Sequence, residues 1–264
     1  MELDAVAKDS ITENEKEPND DISMANDIEP NVKYSGNLKD EEDVDYYKIQ
    51  LEKKGKIVLN FKHPKIDSDY GLWNISLQGM DEAEKINMNV TGEEADIISN
   101  TIRVASGTYY IRIAPYGSQW SDINYGISVV TNKEKGRTEN EDNDDYGSAT
   151  RISLGTAVKG NIQSEDDVDF YKIVLKKRTN IKITFSHEPV NSDYTFWTVR
   201  LYSEDSSGSI SDNEENEAIY INGDSAKNVS SNWRSLPAGT YYVKIEGYGS
   251  EYWNDDYKLK VSSY

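Results

Sequence analysis

The 264-residue chain carries 29 Lys and Arg against 48 Asp and Glu, which gives a formal net charge of −19. This acidity argues against a nucleic-acid-binding protein, which needs cations to neutralise phosphates, and against docking on an anionic membrane. Hydrophobic residues make up only 36 %, but the 11 % of aromatic residues, with 19 Tyr, is too high for a disordered chain. The composition therefore predicts small cores beneath a strongly charged surface.

The sequence shows no evident targeting segment, membrane helix or disulfide. No stretch approaches the roughly 18 apolar residues of a membrane helix. Met1–Ser10 lack the basic and apolar regions of a signal peptide, which fits either a cytoplasmic protein or a piece of a larger exported one. The absence of Cys excludes disulfides, thiolate metal sites and cysteine nucleophiles. The acidic surface favours a monomer.

In chain order, a flexible tail over residues 1–11 comes first, and strands are predicted after it. Apolar and polar residues alternate within Tyr47–Leu51, Ile57–Phe61, Tyr109–Ile113 and Tyr125–Val129. This period of two, with β-branched and aromatic enrichment and turns about every 8–12 residues, is typical of an antiparallel β-sandwich. Only Asp20–Asp27 and Asp145–Arg151 could hold a helical turn, so we predict an all-β fold.

The sequence is a tandem repeat. At an offset of 124, residues 15–78 align with 139–202 without a gap, and 26 of the 64 pairs are identical. The offset then becomes 132, because the second copy carries eight extra residues within Ser203–Asp224. The repeat is too long for a solenoid unit, so each copy should be a domain with its own core. We predict one sandwich over residues 12–132, a linker over 133–137 and a second sandwich over 138–264.

Acidic residues recur at matching positions of both copies. Glu15-x-Glu17-x-Asn19-Asp20 reappears as Glu139-x-Glu141-x-Asn143-Asp144, and Glu41–Asp45 reappears as Glu165–Asp169. Alternate residues of an extended chain face one side, and an all-oxygen set without His or Cys suits Ca²⁺ before Mg²⁺ or Mn²⁺. The alternative is a set of solvated loops in an acidic protein. The recurrence favours a metal site, because the residues between the clusters have diverged.

These motifs, followed by a Gly, a D-x-D-[YF]-Y strand entry and a late G-T-Y-Y strand, resemble the bacterial pre-peptidase C-terminal domain. The relatives of that domain include the collagen-binding domains of clostridial collagenases. The resemblance covers roughly residues 12–130 and 138–264. It implies a jelly-roll-like β-sandwich, secretion and covalent linkage to a peptidase domain. In calcium-binding members, the N-terminal segment clamps a pair of Ca²⁺ ions.

The resemblance also implies a ligand set in each copy. In the first copy it consists of Glu15, Glu17, Asn19, Asp20, the carbonyl of Asn37, Glu42 and Asp45. In the second copy it consists of Glu139, Glu141, Asn143, Asp144, the carbonyl of Asn161, Asp166 and Asp169. Because Glu42 is replaced by the shorter Asp166, the two sites are expected to differ in geometry and affinity.

No sequence pattern indicates an enzyme. The H-E-x-x-H, G-x-S-x-G and P-loop motifs are absent. His63 and His187 occupy equivalent positions in turns, which favours a structural role. Asp43 and Asp45 could in principle hydrolyse a glycoside, but their place beside the acidic motif favours metal binding.

Aromatic residues are the candidates for contact with a polymer. Tyr116, Trp120, Tyr248, Tyr252 and Trp253 follow the last-but-one predicted strand of their copies and are predicted at exposed loop tips. Trp73 and Trp197 lie within predicted strands, where we expect them to pack in the core.

Two functions remain open. One is a calcium-stabilised accessory module of a secreted peptidase that binds collagen or another extracellular polymer, which exposed Trp120 and Trp253 would favour. The other is a calcium-stabilised spacer or maturation domain without a ligand of its own. Tyr116 and Tyr248 match a contact tyrosine of the collagen-binding relatives. Two residues earlier, however, those relatives carry a second contact tyrosine where this chain has Ala114 and Glu246.

Overall fold

The computed structural model describes residues 12–80, 84–132, 134, 136–205, 207–212 and 218–264. The predicted tail, residues 1–11, lies outside these ranges, as do residues 133 and 135 of the predicted linker. Packing divides the chain into two compact units, Met1–Lys133 and Glu134–Tyr264. The division falls at the start of the segment predicted as a linker.

The first unit consists of short strands and one turn of 3₁₀ helix, Ile22–Met24. The strands are β1 Thr12–Asn14, β2 Asn26–Ile28, β3 Lys33–Gly36, β4 Asp45–Leu51, β5 Gly55–Lys62, β6 Gly71–Gly79, β7 Glu84–Thr91, β8 Asp96–Ile98, β9 Ile102–Val104, β10 Gly107–Pro115 and β11 Tyr125–Asn132. In the part of the chain that the structure describes, no helix has the length and apolar character needed to cross a bilayer.

The second unit follows the same plan. Its strands are β12 Thr150–Arg151, β13 Ala157–Gly160, β14 Val168–Leu175, β15 Thr179–Ser186, β16 Thr195–Glu204, β17 Ile210–Asp212, β18 Ile219–Asn222, β19 Asn228–Ser230, β20 Arg234–Leu236, β21 Gly239–Glu246 and β22 Tyr257–Ser263. The eight-residue insertion falls among β16, β17 and β18.

Each unit contains two sheets among its described residues. In the first unit the strand orders are β1-β3-β11-β5-β8, with β9 beside β5, and β2-β4-β10-β6-β7. In the second they are β13-β22-β15-β19, with β20 beside β15, and β12-β14-β21-β16-β17, with β18 beside β16. Pairing is antiparallel except for β1–β3, β2–β4 and β12–β14, which are parallel. The all-β prediction is confirmed.

Alternation along the strands explains the sandwich. Tyr47, Ile49 and Leu51 of β4 are buried, while the residues between them are more exposed. Both sheets of a unit contribute buried residues to a single hydrophobic cluster, one cluster in each unit. Trp73 and Trp197 are 0 % and 1 % exposed, which confirms that they are core residues.

The histidines belong to the same cores. His63 is buried with its ring centroid 4.4 Å from that of Trp73. Its Nδ1 and Nε2 lie 2.9 and 3.0 Å from the carbonyl oxygens of Pro64 and Glu94. His187 is equally buried, and desolvation lowers its pKa, which favours the neutral ring. These contacts match the structural role predicted for both residues.

The separate cores lead to a prediction about unfolding. Leu77 and Leu201 occupy equivalent buried positions in β6 and β16. Truncation of a buried Leu to Ala costs about 2–5 kcal/mol, so Leu77→Ala should lower the transition of the first unit and Leu201→Ala that of the second. Differential scanning calorimetry of both variants tests this. If both substitutions displaced one common transition equally, the two cores would unfold as one.

Candidate metal centre

Backbone hydrogen bonds fix the acidic motif of the first unit against two strands. The Glu15 N–H donates to the Ser35 carbonyl of β3 at 2.9 Å, and the Tyr46 N–H of β4 donates to the Asn19 carbonyl at 2.9 Å. In the second unit, the Glu139 and Phe170 N–H groups make the equivalent bonds. The motif therefore runs from the edge of one sheet to the first residues of a strand in the other.

Two carboxylate triads result in each unit, and the two triads share a glutamate. In the first unit, one oxygen from each of Glu15, Glu17 and Asp45 lies within 4.8 Å of the others, as does one from each of Glu17, Asp20 and Asp43. The second unit repeats this with Glu139, Glu141 and Asp169, and with Glu141, Asp144 and Asp167. Oxygens that bind one Ca²⁺ at about 2.4 Å lie no more than about 5 Å apart. Each unit can thus hold two neighbouring cations around a common glutamate.

Buried amides complete the donor set. Asn19 is fully buried, and neither polar atom of its side chain has a hydrogen-bond partner among the described residues. In the second unit, Asn143 donates to Asp169 at 3.1 Å, but its Oδ1 is also without a partner. A buried polar atom without a partner is costly. A hard cation would satisfy these amide oxygens, so the residues present fit calcium.

At one position in each unit, the structure groups a different carboxylate from the predicted one, and the ligand roles predicted for Glu42 and Asp166 stay predictions. The described triads contain Asp43 and Asp167 rather than Glu42 and Asp166. Glu42 is exposed, and its N–H donates to the Asp40 carboxylate at 2.9 Å. Asp43 continues the alternation of β4, in which Asp43, Asp45 and Tyr47 are buried and the residues between them are more exposed, whereas Glu42 lies in the preceding turn. The sequence shows that Asp43 and Asp167 belong to the acidic clusters, but it does not show which way their side chains point.

The predicted carbonyl ligands remain a prediction. The Asn37 N–H donates to Glu15 at 2.8 Å, and the Asn161 N–H donates to Glu139 at 3.0 Å. These bonds place both asparagines next to the triads. They concern the N–H groups and do not test the role of the carbonyls.

A pair of buried tyrosines supports each cluster from inside the sandwich. The hydroxyl groups of Tyr47 and Tyr125 lie 2.7 Å apart. Tyr47 donates to Glu15 at 2.8 Å, and Tyr125 donates to Asp45 at 2.5 Å. A Cβ atom at Gly36 would overlap the Glu15 carboxylate and both hydroxyls. Hydrogen bonds of this kind orient metal-binding carboxylates.

The second unit contains the same network. Tyr171 and Tyr257 have hydroxyl groups 2.6 Å apart and donate to Glu139 and Asp169 respectively, while Gly160 leaves the room for them. Sequence reasoning missed these tyrosines as site residues. A signal was present, because all four recur at repeat-equivalent positions.

Burial makes the carboxylates hard to ionise in the metal-free protein. Burial, together with the neighbouring carboxylates, raises the pKa of Asp45 to about 8, against the hydrogen bond from Tyr125, which lowers it. Burial likewise raises the pKa of Asp167 to about 8. In the second unit, the pKa values of Glu141 and Asp169 also lie well above the ordinary range, for the same reasons.

The two sites differ in their internal charge. In the first unit, the Lys39 ammonium forms an ion pair with the shared Glu17. Gln163 takes the equivalent position in the second unit and donates from its neutral amide to Glu141 at 2.7 Å. The second cluster therefore lacks this internal cation. The peptide bonds Glu17–Pro18 and Glu141–Asp142, within the two motifs, are both cis.

The structure separates the predicted polymer-binding aromatics into two groups. Tyr116 and Tyr248 are 45 % and 53 % exposed, at tight turns closed by pairing with Gln119 and Glu251. Trp120, by contrast, is partly buried. Tyr252 and Trp253 pack on the core of the second unit, and the Trp253 ring lies 5.2 Å from that of Phe196. The expectation of exposed tryptophans at these loop tips was wrong.

Other aromatic side chains are more exposed than the predicted ones. Tyr70 and Tyr194, at equivalent positions, are 74 % and 64 % exposed. Tyr220 packs edge-on against Tyr248, with ring centroids 5.6 Å apart. The Tyr116 ring lies over Gly71 in the first unit. Since strand alternation alone did not distinguish these residues, only the fold shows which aromatics face solvent.

Comparison with known proteins finds similarity to a peptidase-associated domain family and to two collagenases. Residues 167–247, in the second unit, match the family model of the bacterial pre-peptidase C-terminal domain. Collagenase ColA of Clostridium perfringens is 26 % identical over 239 residues, covering 88 % of this chain and 20 % of ColA. Collagenase ColT of Clostridium tetani is 29 % identical over 181 residues, covering 64 % of this chain and 18 % of ColT. The chain thus spans about a fifth of the length of these collagenases.

Solved structures include similar chains. The pre-peptidase C-terminal domain of a collagenase from Bacillus anthracis aligns over its whole length with 50 % of this chain, at 18 % identity and a TM-score of 0.32. The PBSX exported protein XepA aligns over 84 % of its length with 86 % of this chain, at 10 % identity and a TM-score of 0.27.

The raised pKa values predict how stability depends on pH. A carboxyl whose folded pKa is above its unfolded value of about 4 contributes stability below that value, and this contribution is lost as pH rises through the folded pKa. In EDTA, the melting temperature should therefore fall between pH 5 and 8 by several degrees. Calcium should abolish or reverse this fall, because the ion favours ionised carboxylates. Thermal melts across pH, with and without calcium, provide the measurement.

Matched variants identify the source of the effect. Asp45→Asn removes a buried carboxyl with a raised pKa, so it should reduce the pH dependence in EDTA. Glu42→Gln, at an exposed neighbouring position, should leave it unchanged. A melting temperature in EDTA that rises with pH would contradict this account of the cluster.

Proposed function

We propose that the chain is a non-catalytic, calcium-binding accessory module of a secreted bacterial peptidase, a proposal supported by the match of residues 167–247 to the bacterial pre-peptidase C-terminal domain and by the similarity to clostridial collagenases. Its ligand would be collagen or another extracellular polymer, and a peptidase domain would be covalently linked to it. The observation that carries the proposal is the pair of carboxylate triads around one glutamate, present in both units.

The ligands follow from the geometry of the cluster. In the first unit, Glu15, Glu17, Asn19, Asp20, Asp43 and Asp45 would hold two calcium ions, and in the second unit Glu139, Glu141, Asn143, Asp144, Asp167 and Asp169 would do so. Each set contains five carboxylates, which largely balance two divalent charges. Bound calcium would supply electrostatic cross-linking, and the tyrosine pairs would keep the innermost carboxylates in position.

Calcium binding would act on the fold by linkage. An ion that binds only the folded state stabilises it by RT ln(1 + [L]/Kd), about 2.7 kcal/mol at a hundredfold excess over Kd. Because the acidic motif lies between the edge of one sheet and the start of β4, the ions would tie the N-terminal segment of a unit to its sandwich. Sites of modest affinity need the calcium concentrations found outside cells, which supports a secreted location.

A non-catalytic role is supported by the buried histidines and by the absence of known catalytic motifs from the sequence. His63 and His187 pack against core tryptophans. Among the described residues, the carboxylate triads are the only close groups of three acidic side chains, and they occur in both units. Metal binding would occupy these carboxylates.

Calcium should raise the melting temperature by several degrees over that in EDTA, and Glu17→Gln or Glu141→Gln should each remove part of the rise. In EDTA the same substitutions should leave stability unchanged or raise it, because they relieve repulsion between carboxylates. Native mass spectrometry should find two calcium ions in each unit of the wild-type chain, four in total. It should find only two in the whole chain when the cluster of one unit no longer binds calcium.

Glu42→Gln and Asp166→Asn are the matched controls, because their side chains lie outside the described triads. They should leave both the calcium-induced rise and the stoichiometry unchanged. If calcium failed to shift the melt of the wild-type chain, or if Glu42→Gln acted like Glu17→Gln, the proposed site would be wrong.

Exposed tyrosines support a polymer-binding surface near the β10 and β21 ends. Tyr248 and Tyr220 form an exposed aromatic pair in the second unit, while Tyr116 offers a single ring over Gly71 in the first unit. Tyrosine supplies contact area at a low cost in conformational entropy. The second unit therefore presents the larger aromatic surface.

The alternative function, a calcium-stabilised spacer without a ligand, has its own support. Ala114 is buried, and Glu246 forms an ion pair with Lys244 at 2.6 Å. At the positions where the collagen-binding relatives have a second contact tyrosine, the chain thus offers no aromatic ring.

Sedimentation with collagen fibrils distinguishes the two functions. If the chain binds collagen, Tyr248→Ala should weaken binding about tenfold or more, as expected for a central aromatic contact, and Tyr116→Ala should weaken it less. Tyr146→Ala, at another exposed tyrosine, is the control. Absence of the wild-type chain from the fibril pellet in calcium would contradict collagen binding and favour the spacer.

A further inference from the structure

Four lysines form a patch on one sheet of the second unit. Lys159 lies on β13, Lys258 and Lys260 lie on β22, and Lys182 lies on β15. They alternate with buried core residues, so all four point away from the core. Lys159 and Lys258 are direct cross-strand partners. With strands about 4.8 Å apart and alternate residues about 6.8 Å apart, the four lysines form one continuous group, the lysine face.

One acid, Glu188, lies close to the lysine face. Its hydrogen bond with Lys227 is the larger cause of its lowered pKa, and the charge of Lys258 contributes to the lowering. In the ranges that the structure describes, none of the four ammonium groups forms an ion pair with a carboxylate, and the nearby Glu188 is paired with Lys227 at the edge of the sheet. The other outward residues of these strands and of the neighbouring β19 are small or carry hydroxyl and amide groups: Ala157, Asn180, Thr184, Ser186, Asn228, Ser230 and Ser262. This concentration of positive charge occurs in a chain with a net charge of −19.

The first unit shows that the fold does not require these lysines. Their repeat-equivalent positions hold Ser35, Val58, Gly126 and Ser128. Like charges directly opposite each other in a sheet are destabilising, so the lysine face has a cost in stability that the first unit avoids. A ligand of opposite charge would offset that cost.

We propose that the lysine face binds a sulfated polysaccharide. Lysine ammonium groups act as point charges suited to sulfates, while the hydroxyl and amide side chains between them can hydrogen-bond sugar hydroxyls. No aromatic ring lies among the outward residues of β13, β15 and β22 themselves. The exposed rings of Tyr264, directly after β22, and Trp233 pack edge-on against each other with centroids 4.6 Å apart, whereas base stacking needs ring faces open to the ligand. The lysine face also lacks the large apolar side chains that would insert into a membrane. Acidic residues elsewhere do not prevent binding, because their field is screened over about 8 Å at physiological ionic strength.

Isothermal titration calorimetry with a heparin oligosaccharide, at low and physiological ionic strength, tests the proposal on the whole chain. Lys258→Ser/Lys260→Ser should weaken binding about tenfold and reduce the slope of log K against log salt by about two, one for each cation removed. Lys53→Ser/Lys65→Ser makes the same charge change at exposed positions of the first unit and should leave the affinity unchanged. Thermal melts establish that both variants remain folded.

Several results would overturn the proposal. These are the absence of heparin binding at low ionic strength, an equal loss of affinity in the control variant, or tighter binding of duplex DNA or phosphatidylserine vesicles than of heparin. Binding of neutral dextran as tight as that of heparin would exclude recognition of sulfate. None of these outcomes bears on calcium binding or on collagen, because the lysine face shares no residue with the triads or with the exposed tyrosines.

Discussion

The crowding of five carboxylates against two buried tyrosine hydroxyl groups is the constraint on which each unit depends. Glu15 and Asp45 come from different sheets, and Tyr47 and Tyr125 bridge them. Without a counter-ion, this arrangement raises the pKa of Asp45 and opposes folding at neutral pH. Bound calcium, as proposed above, would reverse the sign of the same interaction. A cluster that destabilises the metal-free sandwich would then join its N-terminal segment to both sheets, and stability would depend on calcium concentration.

Duplication provides an internal comparison of what this arrangement needs. Both units retain the tyrosine pair, the glycine beside it and the two triads around one glutamate. The units differ where the cluster meets solvent, with Lys39 in one and Gln163 in the other. They also differ on the outer surface, where only the second unit carries the lysine face. The interior of the site is thus the constant part of the repeat, while charge around it and on the outer surface has changed.

Although the net charge is −19, acidic and basic residues are concentrated in different places on the molecule. Many acidic residues lie at the carboxylate clusters, where bound ions would neutralise them, whereas the lysine face and the exposed tyrosines lie elsewhere in their units. If the chain is the proposed accessory module, its metal sites would lie apart from its binding surfaces. Calcium would then control whether the module is folded, and the exposed surfaces would determine which polymer it contacts.

The sequence by itself determined the fold class, the repeat and the chemistry of the donors, because strand alternation, duplicated motifs and residue types are local properties. Trp73 was predicted in the core for the same reason. Only the tertiary structure showed that Asp43 faces the cluster and Glu42 does not, since facing depends on where the chain enters β4. It also joined Tyr47 to Tyr125, buried Trp253 against Phe196 and gathered the lysine face from three strands. These contacts link residues far apart in the chain, and pairing between strands decides which of them meet.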